Sequence, residues 1–123
     1  MKIIDQPVDI HRACEESDLI ICHAGHGTTA VSLLKGRPLL LFPEHEQLEQ
    51  VLVSRRVTMA GAGRMIAMEH KEMKSINKVA EEMLQNTSYH EAAGRFAEKY
   101  ADFDPRKQLE EMAERCEELL AAE

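Results

Sequence analysis

The hydrophobic positions of this chain change period about midway. Asp18–Cys22 (D-L-I-I-C) and Leu39–Phe42 are short unbroken apolar runs. Runs of this length, bounded by turn residues, are expected of strands buried on both faces of a parallel sheet. Between and after them the spacing turns helical. Thr28–Lys35 is predicted to be a helix ended by Gly36, with Pro38 two residues beyond. Glu46–Ala60 is predicted to be a helix with Leu48, Val51, Leu52 and Met59 on one apolar side. Gly61-Ala62-Gly63 breaks it, and Arg64–Ala67 reads as a third short strand. At the front of the chain, Lys2–Asp5 reads as a short strand and Val8–Glu16 as a short helix behind Pro7.

Strands cease in the second half. Glu72–Leu84 repeats Met73, Ile76, Val79, Ala80 and Met83 at helical spacing, and Tyr89–Tyr100 and Pro105–Ala122 complete the helices. In the last of these, Leu109, Met112, Cys116 and Leu119 form the stripe expected to be buried. The pattern predicts an α/β fold: a small parallel sheet with helices on both faces and a helical C-terminal half. Residues 1–123 make one domain, with strand–helix alternation over 1–68 and helices over 69–123. Three strands, or four with the N-terminal one, are few for a Rossmann-like unit, which usually opens on a strand and a Gly-rich turn. The chain therefore reads as such a unit without its first strands.

Composition narrows the partners. At 123 residues the chain is one domain, 44% hydrophobic and 30% charged, an ordinary globular mix. The net charge is −7, opposite in sign to what phosphate backbones select, so no nucleic-acid partner is expected. Residues 1–68 carry 8 acidic and 7 basic side chains and residues 69–123 carry 14 and 8, so the acidity lies in the helical half. No apolar run approaches a membrane span, and no signal-peptide core follows Met1. Three cysteines, Cys14, Cys22 and Cys116, without a C-x-x-C pair, read as free thiols in a reducing cytoplasm.

The chemistry concentrates in D-L-I-I-C-H-A-G-H-G-T-T, residues 18–29. A buried strand runs into His23, then Gly25 and Gly27, then Thr28 and Thr29 at a helix start. Glycines permit close backbone approach to a ligand. Free N–H groups and the positive dipole end at a helix N-terminus favour a phosphate. The same spacing also fits a plain Thr28 N-cap after a Gly-containing turn.

H-A-G-H-G-T-T, followed by G-R-P-L-L-L-F-P, then Glu49-Gln50, then G-A-G, resembles the C-terminal domain of GT-B-fold, family-1-type glycosyltransferases. These are the UDP-glycosyltransferases and the bacterial macrolide and glycopeptide transferases. Pro7, sixteen residues before His23, and the ending Y-A-D-F-D-P at residues 100–105 agree with it. The resemblance implies a partial Rossmann-like donor domain that binds a UDP-, dTDP- or similar nucleotide sugar without a metal or other cofactor. By that resemblance His23, Gly25, Gly27 and Thr28 hold the phosphates. Glu49 and Gln50 bond the donor sugar's hydroxyls, and Gln6, Pro7 and Val8 line the base pocket. Ala24 departs from the usual Gly or Cys, Val31 from a ribose-binding Glu, and Glu49 from an Asp. The resemblance also implies that the acceptor-binding N-terminal domain and its general base lie outside this chain, so no catalytic residue is expected in it and no transfer from it alone.

Other readings stay open. A split enzyme would need a partner chain, and an exposed apolar stripe or open sheet edge would favour homo-oligomers or a fragment without ligand affinity. A sugar-nucleotide epimerase shares the fold. His23 and His26 form an H-x-x-H pair that, with Glu44, His45 and Glu46, offers a remote metal reading, although His26 reads better as a solvent-facing loop residue. Cys22 and His23 point to opposite faces of a strand and make a poor nucleophile pair; Cys22, Cys14 and Cys116 read as core thiols. One of Arg55 and Arg56 is a further candidate to meet a phosphate.

Overall fold

A computed structural model of the chain describes residues 2–44, 46–66 and 73–122. The elements run α1 (Ile10–Glu15), β1 (Ile20–Cys22), α2 (His26–Leu34), β2 (Leu39–Leu41), α3 (Leu48–Met59), β3 (Gly63–Met65), α4 (Met73–Gln85), α5 (Thr87–Lys99) and α6 (Pro105–Ala121). The three strands are parallel and adjacent in the order β1-β2-β3. Ile20 pairs with Leu39 and Leu39 with Gly63; Cys22 pairs with Leu41 and Leu41 with Met65. Each return between parallel strands crosses through a helix, as a parallel sheet requires.

The middle strand carries the core. Leu39, Leu40 and Leu41 are all 0% exposed. Successive side chains on a strand face opposite ways, so β2 divides the interior. Leu39 and Leu41 pack with Leu33 of α2, Val57 of α3 and Ala92 and Ala93 of α5. Leu40 packs with Ile66 and with Ile76, Val79, Ala80 and Met83 of α4. Helices therefore cover both faces, as the sequence predicts.

Local chemistry sets the boundaries. Asp9, Asn86 and Asp104 cap α1, α5 and α6 by accepting backbone N–H bonds. Gly36, at φ 69°, turns the chain out of α2. Arg37 donates from Nε to the Cys14 carbonyl (2.9 Å) and from Nη2 to the Glu15 carbonyl (3.1 Å), tying the end of α1 to the start of β2. Lys35 bonds the Glu15 carboxylate at 2.5 Å and holds it below the usual carboxylate range.

Several expectations change. Residues 2–5 form no strand, and Ile3 and Ile4 are exposed, because a strand forms only where a neighbour supplies its hydrogen bonds. The run 18–22 shortens to Ile20–Cys22, and Ile21 is 45% exposed because β1 is the outer strand. On α3 the buried residues are Ser54 and Val57, while Leu48, Leu52 and Met59 face outward. The third strand starts at Gly63, earlier than expected; Ala67 and Glu72 lie outside the described residues, as does His45. The stripe on α6 is not buried: no residue of that helix is, and Cys116 is exposed. Cys14 is fully buried, whereas Cys22 is only partly so. Among the described residues no helix is long and apolar enough to cross a membrane.

Candidate functional site

The sheet register builds the site. Cys22 and Leu41 end neighbouring parallel strands, and the Phe42 N–H donates to the Cys22 carbonyl at 3.1 Å. The loops that follow β1 and β2 therefore leave the sheet side by side, at its carboxyl edge. Open α/β sheets bind ligands at that edge. His23 meets Phe42 there, edge to face, with ring centroids 4.7 Å apart.

The β1–α2 loop then makes a sharp bend. Ala24, 1% exposed, has φ 68°, a left-handed conformation that costs an L-residue about 1–2 kcal/mol. Held strain of this kind collects at functional loops. The positive φ falls on Ala24 rather than on either glycine. Gly25 and Gly27 contribute openness instead: a Cβ on either would meet no atom within 4 Å. Gly25, not Thr28, is the N-cap of α2, and no side chain caps the helix. The first-turn N–H groups have no intrahelical partner, and no acidic residue stands in that turn. Thr28 is half-buried within it. The result is an uncapped, dipole-positive helix end on a strand–loop–helix turn, the arrangement that binds phosphate.

Glu49 and Gln50 open α3 on the neighbouring loop. Gln50 accepts a 3.0 Å hydrogen bond at Oε1 from the Glu44 N–H, which leaves its amide NH2 as a donor. Glu49 contacts the start of α2: its Oε1 lies 2.5 Å from His26 Nε2. The structure thus brings His23, Gly25, Gly27, Thr28 and the Glu49-Gln50 pair to one edge. His26 faces solvent as expected, but it is the first residue of α2 rather than a loop residue, and it meets Glu49. No sequence period announces that pairing, because it depends on the parallel register of β1 and β2.

Other candidates separate from this edge. Pro7 and Val8 line a groove of about 680 Å³ with Lys2, Ile4, Asp9 and Arg12, to which no residue of the 23–28 loop contributes; Gln6 beside them is exposed. Arg55 and Arg56 line a different groove, of about 560 Å³, with Leu52, Met59 and Met65. Burial pushes the Cys22 thiol up, partly opposed by the neighbouring Ala24 backbone. A raised thiol is a poor nucleophile at neutral pH.

Solved structures of glycosyltransferases share this fold. The spinosyn rhamnosyltransferase SpnG, solved with thymidine diphosphate, superposes with TM-score 0.75 at 20% identity over 91% of this chain and 32% of that one. The spinosyn forosaminyltransferase SpnP gives 0.77 at 16% identity, over 98% and 34%. SnogD from Streptomyces nogalater gives 0.69 at 21% identity, over 98% and 29%. The chain spans about a third of the length of these enzymes, and its fold is that of a GT-B C-terminal domain. Among curated protein sequences none matches it. Residues 4–119 match the model of the erythromycin biosynthesis protein CIII-like C-terminal domain, and the chain belongs to that family.

Proposed function

We propose that this chain is the donor-binding part of an inverting glycosyltransferase, holding a nucleoside diphosphate sugar at the carboxyl edge of its sheet. One observation carries the reading. The uncapped end of α2 and the Glu49-Gln50 pair sit side by side, joined by the His26–Glu49 contact. An anion cradle beside an adjacent acceptor and donor matches a diphosphate followed by a hydroxylated sugar. Family membership and the thymidine diphosphate in one structural relative support the same ligand class.

In this reading the diphosphate lies over Gly25, Gly27 and Thr28, with His23 donating to a phosphate oxygen. As the glycosidic bond to the diphosphate breaks, negative charge grows on the leaving oxygens. The α2 dipole and first-turn N–H groups already point there, so they stabilise that charge without reorganising. A metal has no necessary task in this scheme. Glu49 accepts from one sugar hydroxyl and Gln50 donates to another. Gln6, Pro7 and Val8 are the proposed contact for the base by the family resemblance; Pro7 and Val8 line a groove to which the 23–28 loop does not contribute. The acceptor and its general base come from polypeptide beyond these residues, and the chain alone does not transfer sugar. Free thiols at Cys14, Cys22 and Cys116 suit a cytoplasmic setting.

A second reading concerns how the site is completed. Leu109, Met112, Leu119 and Leu120 of α6 are all more than half exposed, and β1 is an outer strand. Such surfaces fit a split enzyme whose partner chain covers them, or self-association. A thermal-shift series with dTDP, UDP, GDP and ADP tests the donor reading. A ligand present at a hundred times its dissociation constant adds ~2.7 kcal/mol, several degrees for a domain of this size. One nucleotide should raise the melting temperature, and His23→Ala should abolish the rise. Stabilisation that survives His23→Ala undiminished would place the nucleotide elsewhere.

A further inference from the structure

The His26 side chain has no part in the phosphate scheme above, yet it makes the contact that joins the two halves of the site. We infer that His26 is a positioning residue: it holds the Glu49 carboxylate at the edge of the phosphate loop, so that Glu49 presents one fixed oxygen to the donor sugar. The inference rests on the reading of Glu49 and Gln50 as sugar-binding.

Three observations carry it. First, the pair spans two elements. His26 is the first residue of α2 and Glu49 stands in the first turn of α3, and Nε2 and Oε1 are 2.5 Å apart. Second, both side chains are about two-thirds exposed, 68% and 69%. An exposed contact of this kind contributes little to folding, so what it chiefly does is fix a direction. It takes one carboxylate oxygen of Glu49 and leaves the other as acceptor. Third, Gln50 is fixed independently, its carbonyl oxygen held by the Glu44 N–H. With Glu49 tied to one loop and Gln50 to the other, consecutive residues offer one free acceptor and one free donor. Two hydroxyls of a sugar ring need that complement.

An imidazole with its proton on Nε2 donates to a carboxylate whether or not the ring is charged, so the tie does not depend on one protonation state. Without it, the Glu49 carboxylate samples several rotamers, and binding the sugar must then also order that side chain.

The test compares affinity for dTDP and dTDP-glucose by calorimetry on the full chain. The variants are His26→Ala, His26→Gln, Glu49→Gln and the double variant His26→Ala/Glu49→Gln. His26→Ala should leave dTDP affinity within about two-fold and lower dTDP-glucose affinity about five-fold, a difference within reach of a single interaction. His26→Gln, which keeps a donor, should restore most of that loss. In the Glu49→Gln background, His26→Ala should cost almost nothing more. Equal losses for both ligands, no loss for either, or losses that add in the double variant would overturn the inference while leaving the donor reading intact. A wild-type chain that binds neither ligand, or that gains nothing from the sugar, would overturn the donor reading and this inference with it.

Discussion

Replacing Gly63 by alanine probes the tightest point of the fold. A Cβ built at Gly63 lies 2.3 Å from the Leu39 carbonyl oxygen and 2.9 Å from Val57 Cγ1. Even a close C–H···O contact keeps carbon and oxygen about 3.3 Å apart, so the overlap is about 1 Å. The Val57 methyl can shift. The Leu39 carbonyl cannot, because it belongs to the fully buried middle strand that pairs with Gly63. Relief therefore requires β3 to move off β2. Overpacking a core costs typically ~1–3 kcal/mol, and a clash with backbone places this one at the top of that range, about 3 kcal/mol. In urea, with m near ~1.5 kcal/mol/M for a small domain, the midpoint should fall by about 2 M. Gly94→Ala is the internal control. Gly94 lies within α5 with nothing within 4 Å of a built Cβ, so the same change should stabilise by ~0.5–1 kcal/mol. A Gly63→Ala midpoint within about 0.3 M of wild type, far short of the expected shift, would refute the packing of β3 against β2 and α3.

Three further predictions follow from the structure. Ala24→Val puts a β-branched residue at φ 68° in a 1%-exposed position and should destabilise by about 2 kcal/mol or more by urea unfolding; a change under ~0.5 kcal/mol would contradict the loop geometry. In native protein, a thiol reagent should modify Cys116 quickly, Cys22 slowly because burial raises its thiol, and Cys14 only on unfolding; mass spectrometry of the modified sites gives the order. The Lys35 hydrogen bond, more than its charge alone, lowers the Glu15 carboxyl in the folded state. That contact therefore adds stability above the unfolded glutamate range, near ~4.3, and loses it as pH falls through the lower folded value. Glu15→Gln should flatten this part of the acid limb in a series of melting temperatures, and an unchanged limb would contradict the contact.

Local chemistry made much of the fold legible in the sequence. Leu39–Leu41 reads as a strand because an unbroken apolar run between Pro38 and Pro43 has nowhere to go but the interior. Met83 and its neighbours read as the inward face of α4 because the period is clean and both faces of the sheet need cover. The candidate site at His23–Thr28 reads from the sequence because a strand, a Gly-rich turn and a helix start follow one another directly. Other features depend on contacts remote in sequence. On α3 the outward side carries the larger apolar residues Leu48, Leu52 and Met59, while Val53, Ser54 and Val57 face inward. Close approach of α3 to Gly63 on β3 favours that smaller face, and hydrophobic period alone cannot report it. The stripe on α6 shows that one face is apolar but carries no information about what covers it. The His26–Glu49 contact needs β1 and β2 parallel and in register before the two loops can meet.

The central claim is that a nucleoside diphosphate rests on the N-terminal end of α2. Backbone amide shifts of the isotopically labelled full chain, followed through a titration with dTDP, test it most directly. The account predicts saturable changes that are largest at Gly25, His26, Gly27 and Thr28, with His23 close behind. Saturable changes centred elsewhere, with these five amides unmoved, would contradict it, as would the absence of any saturable change.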